Sequence, residues 1–195
     1  MPWYYDTPLP LASQIAPRIP SYDNNREGKS WNVEEDATKL FTNFTRDGID
    51  RHARNRARTL LSVDDYVKQI FDALDDAGFK ENTFIMISSD HGSHLGSFGL
   101  PFEKSTMYET DVRIPFYVRG PGVPKNASAL GLISLIDIGP TFIDLAGLAP
   151  LENNKRISDG RSFKSLLHDA GAPPVDWRDG VLIEHLGEVN QWMVR

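Results

Sequence analysis

A chain of 195 residues with 40% hydrophobic and 25% charged residues can bury a core, which excludes a disordered chain and suggests one domain or slightly more. Its net charge of −6, with Lys and Arg scattered rather than blocked, argues against a nucleic-acid partner. There is no cysteine, which excludes disulfides, thiolate metal ligands and a cysteine nucleophile within these residues, and no apolar run is long enough to span a membrane.

Residues 1–57 read as an extended, proline-rich connecting segment with Pro2, Pro8, Pro10, Pro17 and Pro20, then a polar stretch from Asp23 to Lys29. An irregular segment of this length tends to be functional, as a lid or binding loop. Trp3, Tyr4 and Tyr5 are expected as anchors pinning it to a core rather than as a sugar-stacking platform. The first twenty residues lack the basic-then-apolar pattern of a signal peptide. Two sequons, Asn43-Phe44-Thr45 and Asn126-Ala127-Ser128, permit a secreted or lysosomal location.

From Arg56 the spacing of Leu60, Val63, Val67, Ile70 and Leu74 predicts an amphipathic helix ended by Gly78. Asp64 and Asp65 are adjacent on it, point about 100° apart, and read as a solvated face rather than metal ligands. Arg54, Arg56 and Arg58 could meet an anionic substrate, although arginines flanking a helix are mostly solvated or paired with acids. Phe84 to Ile87 then predicts a buried strand, and Ser88, Ser89, Asp90, His91 and Gly92 follow where it emerges. In open α/β sheets ligands sit beyond the carboxyl ends of strands.

Further along, residues 111–119 predict a strand with Pro115 near its start, closed by Gly120-Pro121-Gly122. Leu130 to Ile136 is another apolar run. Asp137 is expected to cap a helix with Pro140 in its first turn, Phe142, Ile143, Leu145 and Ala146 buried, and Gly147 as its stop. Asn153 to Gly160 reads as a loop, Ser162 to Leu167 as a short helical turn, and Val181–Ile183 with Met193–Val194 as a hairpin. Helix, strand and polar turn make one step of a βαβ pattern, hence an α/β fold.

On spacing alone, Asp90 and His91 can offer a carboxylate and an imidazole to one divalent cation, with His94 three residues on and Lys104 available to hold an anionic oxygen. The plainer alternative is that Asp90 caps a turn, His91 and His94 are surface histidines and Lys104 is solvated.

The string SDHGSHLGSFGLPFEKSTMYETDVRIPFYVRGPG, Ser89 to Gly122, resembles the second half of the sulfatase catalytic domain, where S-D-[HN]-G, a downstream Lys, Y-E and R-[IV]-P before a strand and P-G recur in order. TLLSVDDYV before it and SLIDIGPTFIDLAG, DGRSFKSLL and WRDGVLIEHLGE after it extend the resemblance from about Arg58 to the C-terminus. Within the family the likeness is to N-acetylglucosamine-6-sulfatases and related arylsulfatases.

This resemblance implies a partial alkaline-phosphatase-like sheet flanked by helices over residues 58–172, and the start of a small antiparallel C-terminal sheet over 173–195. It implies Asp90 and His91 as Ca²⁺ ligands, Lys104 as the catalytic contact to sulfate oxygens and His94 as a substrate-binding residue. Tyr108, Glu109 and Arg113 are expected to be structural. The partner implied is a sulfated small molecule or glycan, best a glucosamine 6-sulfate, and the location lysosomal, extracellular or, in a bacterium, periplasmic. Sulfatases attack with a formylglycine made from a C-x-P-S-R-type motif, yet the chain contains neither cysteine nor S-x-P-x-R. The expectation is therefore a C-terminal portion that lacks the nucleophile, is inactive alone and has the missing half of its own domain as a partner. A phosphoesterase of the alkaline-phosphatase-like group and a non-catalytic glycan-binding relative are the alternatives.

Overall fold

The structure, a computed structural model, describes residues 22, 43–102, 104–148, 159–169, 173–185 and 191–195. Trp3, Tyr4, Tyr5, the polar stretch 23–29 and most of the 153–160 loop lie outside the described residues. Two compact units are formed: Met1–Lys80 with Ser88–Pro115, and Glu81–Ile87 with Phe116–Arg195.

In the first unit, helix α1 runs Asn43–Asp76, thirteen residues earlier than the periodicity from Arg56 predicts, so residues 43–57 are helix rather than connecting segment. Its first turns carry only a narrow apolar stripe, which is why the pattern escapes notice: Ile49 is fully buried and packs with Ala53, Leu95, Phe102 and Tyr22. Gly48 lies beside the same cluster, where a Cβ would come within 3.5 Å of the Phe102 ring. The other end follows expectation. Gly78 has φ 72°, its N–H bonds Asp75 O at 2.9 Å, and Phe79 N–H bonds Leu74 O at 2.9 Å, a Schellman closure. The predicted apolar face is not buried: Leu60 is 57% exposed and Ile70 54%.

Strand β1 is Ile85–Ser88 and pairs with β2, Phe116–Arg119, in a two-stranded sheet. The strand expected over 111–119 is thus halved. Glu109–Val112 forms a helical turn, α2, because Asp111 N–H and Val112 N–H both bond Tyr108 O, at 2.8 and 3.1 Å. Leu130 to Ser134 has no strand either; Leu135–Asp137 is a 3-10 turn closed by a capping box between Ser134 and Asp137.

In the second unit, helix α3, Ile138–Leu145, carries Pro140 in its first turn and stops at Gly147, φ 70°. The expected capping role of Asp137 is corrected, since its carboxylate makes no cap bond to this helix. Phe142 is 51% exposed, and Thr141 is buried in its place because its hydroxyl donates to Asp137 O at 2.6 Å. Helix α4, Lys164–His168, delivers Leu166 and Leu167 to a core with Phe163 and Trp177, and Phe84, Met86, Phe116, Val118 and Leu145 pack against it. Phe84 fits only because residue 120 is glycine: a Cβ there would fall 2.2 Å from its ring. The C-terminal hairpin forms as expected, β3, Leu182–His185, antiparallel to β4, Gln191–Val194, in the register Leu182 opposite Val194.

Candidate active site

All four predicted site residues fall in the first unit, on the loop that leaves β1. Ser88 starts it by donating to Pro115 O at 2.9 Å, and Ser89 donates to His91 O at 2.8 Å. Asp90 follows with its side chain 81% exposed. The backbone N–H of His91 lowers the Asp90 pKa below its ordinary value, so the carboxylate is anionic at neutral pH.

His91 Nδ1 lies 2.7 Å from Gly92 O, and its Nε2 lies 3.1 Å from Asp90 Oδ2. A carbonyl only accepts, so Nδ1 is the donor in the contact to Gly92 O, and Nε2 and Asp90 Oδ2 face one another at ion-pair distance. Two donors bound to one Ca²⁺ at roughly 2.3–2.6 Å lie about 3 Å apart when adjacent, so the pair has the spacing of neighbouring ligands. It is a partial donor set: among the described residues no group of three or more His, Asp or Glu side chains assembles to hold a metal, whereas Ca²⁺ takes roughly 6–8 oxygens. The formylglycine precursor finds no counterpart in the 195 residues, which contain no cysteine.

The loop is closed from behind by Gly92, whose N–H donates to Asp111 O at 2.7 Å. A Cβ at position 92 would lie 1.8 Å from Thr110 O, a backbone atom that cannot step aside. Gly92→Ala is therefore expected to destabilise the first unit by roughly 2–3 kcal/mol, read as a lower urea midpoint; an unchanged midpoint would show that the loop is not clamped here.

His94 is 1% exposed. Its Nδ1 is 3.3 Å from Thr110 Oγ1, and its Nε2 faces Asp111 Oδ2 at 3.4 Å without hydrogen-bond geometry. Asp111, 5% exposed, is the centre of this cluster. Its Oδ2 accepts from Thr106 N–H at 2.7 Å and from Thr106 Oγ1 at 2.9 Å. Thr106 and Asp111 thus tie the segment bearing Lys104 to the turn after it. Sequence reasoning missed both; the only signal was an aspartate inside a stretch read as strand, where an acid is out of place.

Burial lowers the His94 pKa below 6.5, opposed in part by the negative charge of Asp111. The unfolded chain then binds the proton more readily, so this contribution to stability is complete above about pH 6.5 and is lost as pH falls through the folded-state value. His94→Gln is expected to flatten the acid limb of stability below pH 6.5; identical limbs in both proteins would exclude His94 as its source.

Lys104 is exposed and makes no hydrogen bond or ion pair among the described residues, so its ammonium is available to an anion. Nothing among them joins it directly to Asp90 or His91. The Tyr108 ring packs on Phe98 with centroids 4.5 Å apart, and Arg113 lies 3.8 Å from Glu109.

The family model described as Sulfatase matches residues 10–148. Over 174 residues the chain is 39% identical to the N-acetylglucosamine-6-sulfatase of Homo sapiens, covering 89% of this chain and 30% of that protein. It is 37% identical over 175 residues to the extracellular sulfatase SULF-1 homolog of Drosophila melanogaster, covering 86% of this chain and 15% of the relative. The chain thus spans about 30% of the length of the first curated relatives it matches. Among solved structures, one in complex with its substrate D-glucosamine-2-N,6-O-disulfate aligns with TM-score 0.71 and 26% identity over 84% of this chain and 34% of that one. A phosphonate monoester hydrolase of Agrobacterium radiobacter aligns with TM-score 0.61 and 26% identity over 73% of this chain and 27% of that one. No helix among the described residues is long and apolar enough to cross a membrane.

Proposed function

From the premise that this chain belongs to the sulfatase family, we propose that it supplies one side of a sulfate-ester hydrolase site, acting on sulfated sugars of the N-acetylglucosamine 6-sulfate type. The observation that carries the reading is the Asp90–His91 pair, a carboxylate and an imidazole 3.1 Å apart at the end of a strand, with the ammonium of Lys104 downstream. Asp90 and His91 would hold the divalent cation, taken to be Ca²⁺. The imidazole is an unusual partner for so hard a cation and is tolerated where carboxylates supply most of the negative charge. When bound, the cation neutralises charge on the sulfuryl group.

The chain's own residues do the rest of what is assigned here. Lys104 contacts sulfate oxygens as negative charge gathers on them, its ammonium having no competing partner among the described residues. The Asp111–Thr106 bonds set where the Lys104 segment lies, and the Gly92–Asp111 bond sets where Asp90 emerges. The formylglycine nucleophile is assigned to sequence other than these 195 residues, so this chain alone is inactive. The glucosamine preference is supported by the names of the relatives and by the disulfated glucosamine bound to a solved neighbour. An extracellular location is supported by relatives named as extracellular sulfatases.

Sulfate release from N-acetylglucosamine 6-sulfate by the full-length gene product, with and without a Ca²⁺ chelator, tests this reading. Chelator-sensitive release is expected, together with background rates from the 195-residue chain; turnover by the chain itself would overturn the assignment of the nucleophile. The likeness to a phosphonate monoester hydrolase supports a second reading, phosphoester hydrolysis, and faster turnover of phosphate than sulfate esters would establish it instead.

A further inference from the structure

His94 is a buried titratable side chain with an incomplete set of partners. Its Nε2 has no hydrogen bond among the described residues and stands 3.4 Å from Asp111 Oδ2. We propose that His94 is a proton-controlled positioning residue: on protonation it draws Asp111 Oδ2 away from Thr106 and so releases the segment that carries Lys104. The proposal rests on the sulfate-ester reading above, which gives Lys104 its contact to sulfate.

The lone pairs of Asp111 set the competition. Its Oδ2 accepts from Thr106 N–H at 2.7 Å and from Thr106 Oγ1 at 2.9 Å, which fills the acceptor sites of that oxygen. An imidazolium N–H is a stronger donor than either, and charge-assisted contacts of this kind close to about 2.7–2.9 Å. Bringing Nε2 and Oδ2 from 3.4 Å to that distance displaces a Thr106 bond. The main chain of Asp111 is held meanwhile, since its carbonyl accepts from Gly92 N–H at 2.7 Å and its own N–H bonds Tyr108 O at 2.8 Å. The change therefore falls on Thr106.

The Thr106 side is also the side under strain. Ser105, between Lys104 and Thr106, has φ 87°, a left-handed conformation that is costly for a residue with a Cβ. Lys104 itself makes no bond among the described residues, so the Thr106 contacts are what fix its place. Once one is lost, Ser105 relaxes and the ammonium moves off its position. Among the described residues Asp111 is the charged group that faces the His94 ring, and the Thr110 hydroxyl lies 3.3 Å from Nδ1. Arg56 of α1 and Glu109 and Arg113 of the α2 turn line a cavity with Ser93 and Thr110, so their charges flank the pair. Glu109 and Arg113 face each other at 3.8 Å and partly offset one another. Burial keeps the imidazole neutral at pH 7, against the pull of Asp111, and the switch therefore works on the acid side of about pH 6.5.

Hydrogen–deuterium exchange on the full-length gene product reads the release directly. With the intrinsic pH dependence of exchange removed, protection of the Thr106 amide should drop about tenfold between about pH 7.5 and about pH 5, the worth of one charge-assisted hydrogen bond, while the Gly92 amide keeps its protection. Equal protection of Thr106 at both pH values in the wild type overturns the proposal without any variant, and so does an equal drop at Gly92, which would mean general loosening in acid. His94→Gln should abolish the drop; a drop of the same size in it overturns the role of His94. In the same product kcat/KM for N-acetylglucosamine 6-sulfate should show an acid limb of about tenfold that tracks the exchange, and His94→Gln should remove it. A His94 that touched substrate would instead raise KM alike at every pH on substitution and leave the limb in place, which overturns the positioning role. In the Lys104→Ala background, His94→Gln should leave the pH profile unchanged, and a further flattening there overturns the route through Lys104. If the wild type hydrolyses no sulfate ester, the sulfatase reading fails, and exchange at Thr106 still decides the switch.

Discussion

Asp137→Ala is expected to lower the stability of the second unit by about 3–5 kcal/mol, the range for breaking one side of a buried ion pair. Asp137 is fully buried. Its oxygens accept from Arg178 Nη1 at 3.0 Å and Nη2 at 2.8 Å, from Arg161 N–H at 2.7 Å and from Ser134 N–H at 2.8 Å. Removing the carboxylate strands four donors, two of them on a guanidinium that is itself only 18% exposed. The loss spreads, because Arg161 and Arg178 lie 4.7 and 5.6 Å from the Trp177 ring, and Trp177 Nε1 donates to Leu132 O at 2.9 Å. Asp137→Asn keeps the volume and part of the bonding and should fall between. Urea unfolding followed by tryptophan fluorescence measures both; a loss under about 1 kcal/mol for the alanine variant would mean that the network is replaceable by water.

Lys104→Ala in the full-length product should reduce kcat/KM for a sulfate ester by about 10²–10³, the range for removing one charge-stabilising donor from a reacting centre. The side chain is exposed and without an intramolecular partner among the described residues, so the melting temperature should stay where it is. Lys104→Arg keeps the charge but not the compact ammonium, and should recover part of the rate. If the alanine variant turns over at the wild-type rate, Lys104 has no place in the site.

What could be read along the chain were features decided within a few residues of one another. Gly78 and Gly147 end their helices because the left-handed conformation is cheap only for glycine. β1 ends at Ser88, where the apolar run gives way to Ser89 and Asp90, and His91 meets Asp90 because they are neighbours. The start of α1 was not legible, since one isoleucine and one alanine make a stripe too thin to stand out against charged neighbours. Nor was the division of 111–119, where Asp111 is drawn out of the extended conformation by Thr106, five residues earlier.

The amino-acid sequence alone determined the family, the first strand and the C-terminal hairpin, the glycine helix stops, and the residue types at Asp90, His91 and Lys104. These depend on local conformational preference and on motif order, which no later folding event alters. Only the tertiary structure decided that His94 is walled in, that Asp111 organises the loop, that Asp137 anchors Arg178 forty-one residues away, and that Arg56 and Arg113 line one cavity. The physical reason is the same in each case. A buried polar group must find a partner, and which distant residue meets that need is settled by packing rather than by neighbours in the chain.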